Sequence, residues 1–149
     1  MHEQDSWLSV WAKTGQDSLN PKLSTHWLPP HQHVSDTSVV AGLLVDRWFS
    51  PQVIGYCSRE IDGGAARVRR LVRWLAAVHD EGKASPAFAV QDDLADAMRA
   101  HGLAADPRYK ADPQRTRVRH EMVGQQAVRV WLTEELGSTS GEQPLLWAV

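Results

Sequence analysis

Hydrophobic residues repeat at three- and four-residue steps along the middle of the chain, which is the spacing of one helix face. The first run extends from Val34 to Phe49 and contains apolar pairs four residues apart: Val39/Leu43, Val40/Leu44 and Leu44/Trp48. Because the residue before a proline disfavours helical backbone, Ser50-Pro51 is predicted to end this helix. The segment from Pro51 to Cys57 is expected to add a further turn of helix.

A second run predicts a helix from Ala65 to Asp80 that closes near Gly82. Its apolar stripe, read backwards from His79, consists of Leu75, Val72, Leu71 and Val68. His79 falls on the same stripe, so its imidazole is expected to face the core. Arginines occupy much of the remaining surface.

Two further helices are indicated by their first residues. Ser85-Pro86 reads as an N-cap followed by proline at the first helical position, which predicts a helix running toward Ala100. The last long helix is predicted from His120 to Leu136, with His120 on its apolar face. Between them, Pro107 to Arg119 is polar and basic and is expected to form a mobile loop.

Strand signals are missing from the sequence, which has no alternating apolar run and no Asn-Gly hairpin turn. The segment from Ser6 to Lys13 is predicted as a short helix or an extended cover, with Trp7, Trp11 and Trp27 more suited to covering the core than to contacting a ligand. These patterns together predict an all-α helical bundle.

Composition and charge narrow the class of protein. The chain has 149 residues, a formal net charge of −2 and a single cysteine, so it predicts one domain without an internal disulfide or a cysteine-based zinc cage. The small negative net charge argues against a surface that binds nucleic acid over most of its area. Any such binding is left to two local basic patches, Arg67–Arg73 and Arg115–Arg119. Without a signal peptide or membrane span in the sequence, we expect a cytoplasmic protein that does not bind membranes.

The adjacent His79 and Asp80 carry the main chemical hypothesis. Burying either group without a partner costs several kcal/mol, roughly 2–7 for a neutral polar group, and a divalent metal would satisfy both. His120 also lies at the end of a core-facing stripe, where two helices can converge on one ion. The alternatives are that Asp80 only orients the imidazole of His79, and that His120 caps its helix or meets a core carbonyl.

Four segments together resemble, in order and spacing, the HD nuclease domain of the CRISPR-associated nuclease-helicase of type I systems. The most specific is His79-Asp80-Glu81-Gly82-Lys83-Ala84-Ser85-Pro86-Ala87-Phe88, because generic members of the HD superfamily of metal-dependent phosphohydrolases need only the His-Asp pair. The other three are Trp11-Ala12-Lys13, His33 to Ala41, and Arg119-His120-Glu121. The resemblance covers most of the chain and implies a partial HD-superfamily helical bundle.

The resemblance also implies roles for individual residues. His33, His79, Asp80 and His120 would be metal ligands, and Lys83 would offer positive charge to a scissile phosphate beside the catalytic His79-Asp80 pair. Imidazole and carboxylate ligands suit manganese, iron, cobalt or nickel. The implied activity is hydrolysis of single-stranded DNA in CRISPR interference, with a surveillance complex as partner.

The end of the chain bears on its domain organisation. Leu145 to Val149 is an apolar run that stops where the family has a pair of histidines, and a further aspartate of the family is also missing. We therefore expect residues 1–149 to be the N-terminal part of an HD nuclease domain, with the distal ligands and helicase domains absent and activity of the fragment in doubt. An exposed apolar end could also mediate self-association.

Two other function classes stay open at the level of sequence. One is an HD phosphohydrolase acting on nucleotides or small phosphate esters, which would share the metal site but need a closed pocket. The other is a truncated, non-catalytic module that binds partners without cleaving them.

Overall fold

The computed structural model describes residues 10–16, 24–61, 63–90, 99 and 106–134. Helices dominate this part of the chain, and the all-α prediction is confirmed. The strands are β1 (Lys13–Gln16) and β2 (Ser24–Leu28), and two 3₁₀ helices span Glu81–Ala84 and Arg115–Arg117. The α-helices are α1 (Pro30–Arg47), α2 (Pro51–Glu60), α3 (Gly64–Val78), α4 (Pro86–Ala89), α5 (Pro107–Ala111) and α6 (His120–Glu134).

The chain divides into two compact units, and residues 34–78 form the second of them. Within this unit α2 packs against α3. Ser50 caps α2 by accepting a hydrogen bond from the Val53 amide at 3.3 Å, as expected of serine before Pro51. In the same unit, Asp46 on α1 accepts hydrogen bonds from the Arg69 guanidinium at 2.8 and 2.9 Å.

The helix predicted from Val34 to Phe49 exists as part of α1, but its four-residue apolar stripe is not the buried face. Ala41 and Val45 are buried on α1. By contrast, the stripe residues are 41–85% exposed: Val39, Val40, Leu43, Leu44 and Trp48. The four-residue spacing of apolar residues therefore predicted the helix correctly but did not predict which of its faces is buried.

Residues 1–33 and 79–149 form the other unit, in which the described core centres on Trp11. Trp11 is 5% exposed, and its indole Nε1 donates to the Ala89 carbonyl at 3.3 Å. Its ring packs against Phe88 with centroids 4.6 Å apart. Trp11 is thus a core residue, in agreement with the expectation of a covering role, whereas Trp7 lies outside the described residues.

The prediction that strands are absent was wrong at one place. β1 and β2 form an antiparallel ribbon in which Lys13 pairs with Leu28 and Thr14 with Trp27, with an irregularity between Gly15 and Gln16. The first strand reads Lys-Thr-Gly-Gln, which has neither apolar alternation nor high strand propensity. Its ladder depends on backbone pairing, which leaves no pattern in the sequence.

The predicted loop from Pro107 to Arg119 was also wrong, because it contains α5 and a 3₁₀ helix. Asp106 caps α5 by accepting from the Arg108 amide at 2.9 Å, with Pro107 in the first turn. The helix expected from Ser85 begins as predicted, since the Ser85 hydroxyl accepts from the Phe88 amide. α4 ends at Ala89 with Val90 as its C-cap, so the prediction of a helix continuing toward Ala100 was wrong at this point. Residues 91–98, 100–105 and Leu145–Val149 lie outside the described residues.

Among the described helices, none is both long enough and apolar enough to cross a lipid bilayer.

Candidate metal centre

Three potential ligands converge at one place within the unit formed by residues 1–33 and 79–149. His33 lies near the start of α1, while His79 and Asp80 form the turn that follows α3. One nitrogen of each imidazole and one carboxylate oxygen of Asp80 all lie within 4.8 Å of one another. Residues far apart in sequence are thus brought to the spacing that a single ion requires.

Asp80 is the centre of this cluster. Its Oδ2 atom lies 2.7 Å from His33 Nε2, 2.6 Å from Lys83 Nζ and 3.1 Å from His79 Nε2. The side chain of Asp80 is only 7% exposed. A carboxylate removed from water to this extent needs partners of this kind to stay charged.

The neighbours of Asp80 decide its ionisation. Burial by itself would raise the pKa of the carboxyl group, but the Lys83 ammonium and the imidazoles of His33 and His79 together outweigh burial and hold the pKa below its usual value. Asp80 is therefore an anion at neutral pH, which is the form that binds a cation.

Lys83 reaches Asp80 because of the local backbone. The Lys83 amide donates to the Asp80 carbonyl at 2.9 Å, and this turn starts the 3₁₀ helix Glu81–Ala84. The tight turn places the lysine side chain over the carboxylate three residues before it, where the side chain is 11% exposed. Lys83 is thus a buried cation beside the candidate ligands.

His120 completes the surroundings of Asp80 from the first residue of α6. Its Nε2 atom lies 3.3 Å from Asp80 Oδ1, the oxygen opposite the one that contacts His33. The Phe88 ring packs against the imidazole with centroids 5.2 Å apart. His120 is therefore adjacent to the three-residue cluster and in contact with its carboxylate.

The structure brings together all five residues singled out from the sequence, but one expectation of burial was wrong. His79 was predicted to face the core on the stripe of its helix, yet α3 ends at Val78 and the His79 side chain is 38% exposed. The buried members are His33, Asp80 and Lys83. Because the chain leaves the helix before His79, helical periodicity does not apply to its side chain.

Sequence reasoning quoted Phe88 only as part of the resemblance and did not place it beside the site. Phe88 contacts both Trp11 and His120, with Lys83 Nζ 5.8 Å from its ring centre. Nothing in the sequence separates an aromatic residue beside a site from one elsewhere in the core. The exposed His31 lies two residues before His33, and only the resemblance selected between them.

The donor set fits a divalent transition metal. Two imidazoles and one carboxylate are the ligands that manganese, iron, cobalt and nickel accept, and the exposed edge of His79 leaves an approach from solvent. His120 lies outside this group of three and contacts it through Asp80 Oδ1.

A helical domain with an adjacent histidine and aspartate directly after a helix defines the HD class. Within that class, the chain belongs to the family described as "Cas3, HD domain", which matches residues 11–149. The match includes every residue of the cluster, and it confirms the resemblance noted in the sequence.

One curated relative is the "CRISPR-associated nuclease/helicase Cas3" of Streptococcus thermophilus. It is 38% identical over 91 residues, which are 59% of this chain and 9% of the relative. The chain therefore spans a small part of the length of that protein. No solved structure matches the chain.

Proposed function

We propose that this chain is the N-terminal part of an HD nuclease domain that hydrolyses phosphodiester bonds of single-stranded DNA in CRISPR interference. The observation that carries the proposal is the convergence of His33, His79 and Asp80 at metal-binding distances in a member of the Cas3 HD family. The name of the streptococcal relative, a nuclease/helicase, supports the reaction class.

Each residue of the cluster has a role in this proposal. His33, His79, Asp80 and His120 hold the metal, and the buried contacts of Asp80 fix its carboxylate in place before any ligand arrives. When bound, a divalent ion polarises a phosphoryl oxygen and activates water. Lys83 supplies positive charge next to the ligands, where the phosphate of a substrate would lie.

Basic residues lead along the chain to His120 and support a polyanionic substrate. Arg117 and Arg119 are exposed in the segment directly before α6, and Arg115 is partly exposed. Tyr109 is 45% exposed in the preceding helix. Guanidinium groups that follow a phosphate backbone, with aromatic rings available for stacking on bases, are typical of proteins that bind single strands.

The partners and location follow from the same proposal. Under this proposal, the nuclease domain acts with helicase domains and a CRISPR surveillance complex in the cytoplasm. The streptococcal relative is a nuclease and helicase about ten times the length of the matched segment, which is consistent with further domains. Self-association through Leu145–Val149 stays a prediction.

Metal binding is the first test. The purified chain is titrated with manganese, nickel and cobalt, and His33→Ala is compared with His31→Ala, a change of the same residue type two positions away on an exposed site. We expect binding by the wild type and by His31→Ala, and loss of binding in His33→Ala. Wild-type protein that binds none of these ions would contradict the proposal.

Substrate choice is the second test. Metal-loaded protein is incubated with single-stranded DNA and, separately, with nucleoside triphosphates and monophosphates. We expect cleavage of the DNA, abolished in His79→Ala. Hydrolysis of nucleotides alone would favour a small-molecule phosphohydrolase, and metal binding without hydrolysis of any substrate would favour a non-catalytic module.

A further inference from the structure

We infer that Gly82 is a positioning residue whose missing side chain lets the 3₁₀ helix Glu81–Ala84 touch the backbone of α6 and so sets His120 against Asp80. The inference rests on the proposed metal centre. It concerns a residue that offers no ligand atom and contacts no substrate. Gly82 is buried, and the 3₁₀ helix makes extensive contacts with α6.

The contact between the two segments is between backbones. A Cβ atom built on Gly82 would lie 1.8 Å from the His120 carbonyl oxygen and 2.6 Å from the Gly124 amide nitrogen. Both neighbours are main-chain atoms of a helix, which cannot rotate away as a side chain could. The φ angle of Gly82 lies outside the left-handed region, so crowding rather than backbone conformation requires glycine here.

Gly124 provides the opposite side of the same contact. A Cβ atom on Gly124 would lie 3.0 Å from the Gly82 amide nitrogen and 3.6 Å from its Cα. This is tight, but a movement of a few tenths of an ångström would relieve it. An alanine substitution at Gly82 would therefore separate the 3₁₀ helix from α6 strongly, and one at Gly124 would separate the same two segments slightly.

The contact acts on the candidate metal centre through geometry. Gly82 lies two residues after Asp80, and the atom that its Cβ would strike belongs to His120, whose imidazole lies 3.3 Å from Asp80. Separating the backbones by roughly an ångström would lengthen that distance by a comparable amount. His33 lies on α1 and His79 directly precedes Asp80 in the chain, so their distances to Asp80 depend less on this contact.

A double-mutant cycle tests the inference. The affinity for manganese or cobalt is measured for the wild type, Gly82→Ala, His120→Ala and the double variant, with Gly55→Ala as control because its Cβ would meet only the end of a flexible Arg59 side chain. We expect Gly82→Ala to weaken binding about 10–100-fold, the range for residues that orient ligands. In the His120→Ala background we expect Gly82→Ala to add little further loss.

A second readout needs no metal. The imidazole resonances of His120 are compared by nuclear magnetic resonance between the metal-free wild type and Gly82→Ala. We expect them to shift while those of His33 stay close to their wild-type positions. If Gly82→Ala does not fold by circular dichroism, Gly124→Ala takes its place in both measurements, with a smaller loss of affinity that again disappears without His120.

The outcomes separate the two claims. Equal losses of affinity with and without His120, or an unshifted His120 in a folded variant, would overturn the role of Gly82 and leave the metal centre standing. A wild type that binds no metal while His120 still shifts would contradict the metal centre and keep the positioning of His120 by Gly82.

Discussion

Asp80 and Lys83 form a buried pair with opposite contributions to a metal site. The carboxylate attracts a cation, whereas the ammonium 2.6 Å from it competes for the same oxygen. Both side chains are at most 11% exposed, so their mutual attraction is weakly screened by water. Each depends on the other for its charge to be tolerated in the interior.

Replacing either partner should reduce stability, and only one replacement should remove metal binding. We expect Asp80→Asn and Lys83→Met each to lower the free energy of unfolding, by up to about 3–5 kcal/mol for a broken buried pair. Asp80→Asn should lose metal, while Lys83→Met should keep it but lose cleavage activity. Denaturant unfolding and metal titration measure the two effects. Metal binding by Asp80→Asn at wild-type affinity would contradict the assignment of Asp80 as a ligand.

For single residues, the sequence predicted which side chains form the candidate site better than it predicted their burial and contacts. The adjacent His79 and Asp80, with His120 at the end of a second apolar stripe, were enough to suggest a site, and the resemblance supplied His33 and the role of Lys83. The exposure of His79 could not be predicted, because it depends on α3 ending at Val78, two residues before the predicted end at Asp80. The requirement for glycine at position 82 could not be predicted either, because it comes from the backbone of α6, which is distant in the sequence.

Among the elements, α1 and α3 are joined by an ion pair with well-formed geometry. Hydrogen bonding by the Arg69 guanidinium holds the pKa of the Asp46 carboxyl group below its usual value. A carboxyl group with a lowered folded-state pKa stabilises the folded protein above its unfolded pKa, and this contribution is lost as the pH falls through the folded value. Because the pair is exposed, its contribution is small.

The variant Asp46→Asn should therefore lower the melting temperature slightly at neutral pH and less as the solution is acidified below about pH 5. The matched control is Asp36→Asn, an exposed aspartate on the same helix for which the described residues show no ion pair. Thermal melts followed by circular dichroism across this pH range give the comparison. A deficit in Asp46→Asn that grows toward low pH would contradict the assigned role of the pair.

The elements that the sequence predicted are those specified by local signals. Ser50-Pro51 and Ser85-Pro86 cap α2 and α4 as their residue types require. The same signal, Asp106-Pro107, also marks the start of α5, but the prediction for this segment did not use it. No local signal marks the β-ribbon, because it is formed by backbone pairing between two segments that are separated in the sequence.

In the molecule as a whole, buried and exposed valines on neighbouring helices should respond differently to truncation. Val68 is 1% exposed, whereas Val40 on α1 is 53% exposed. We expect Val68→Ala to lower the free energy of unfolding by about 2 kcal/mol and Val40→Ala to change it by no more than about 0.5 kcal/mol. Urea titration of the two variants measures both. Equal losses would mean that the apolar face of α1 is covered in solution.

The position of His33 and His79 in the chain has a consequence for folding. Residues 34–78, the whole second unit, lie between these two side chains, which the fold brings to the same carboxylate. An ion held by both would close this long loop much as a disulfide does, by removing open conformations of the unfolded chain. Metal would then raise the melting temperature of the chain, and a chelator would reverse the increase by removing the link between His33 and His79.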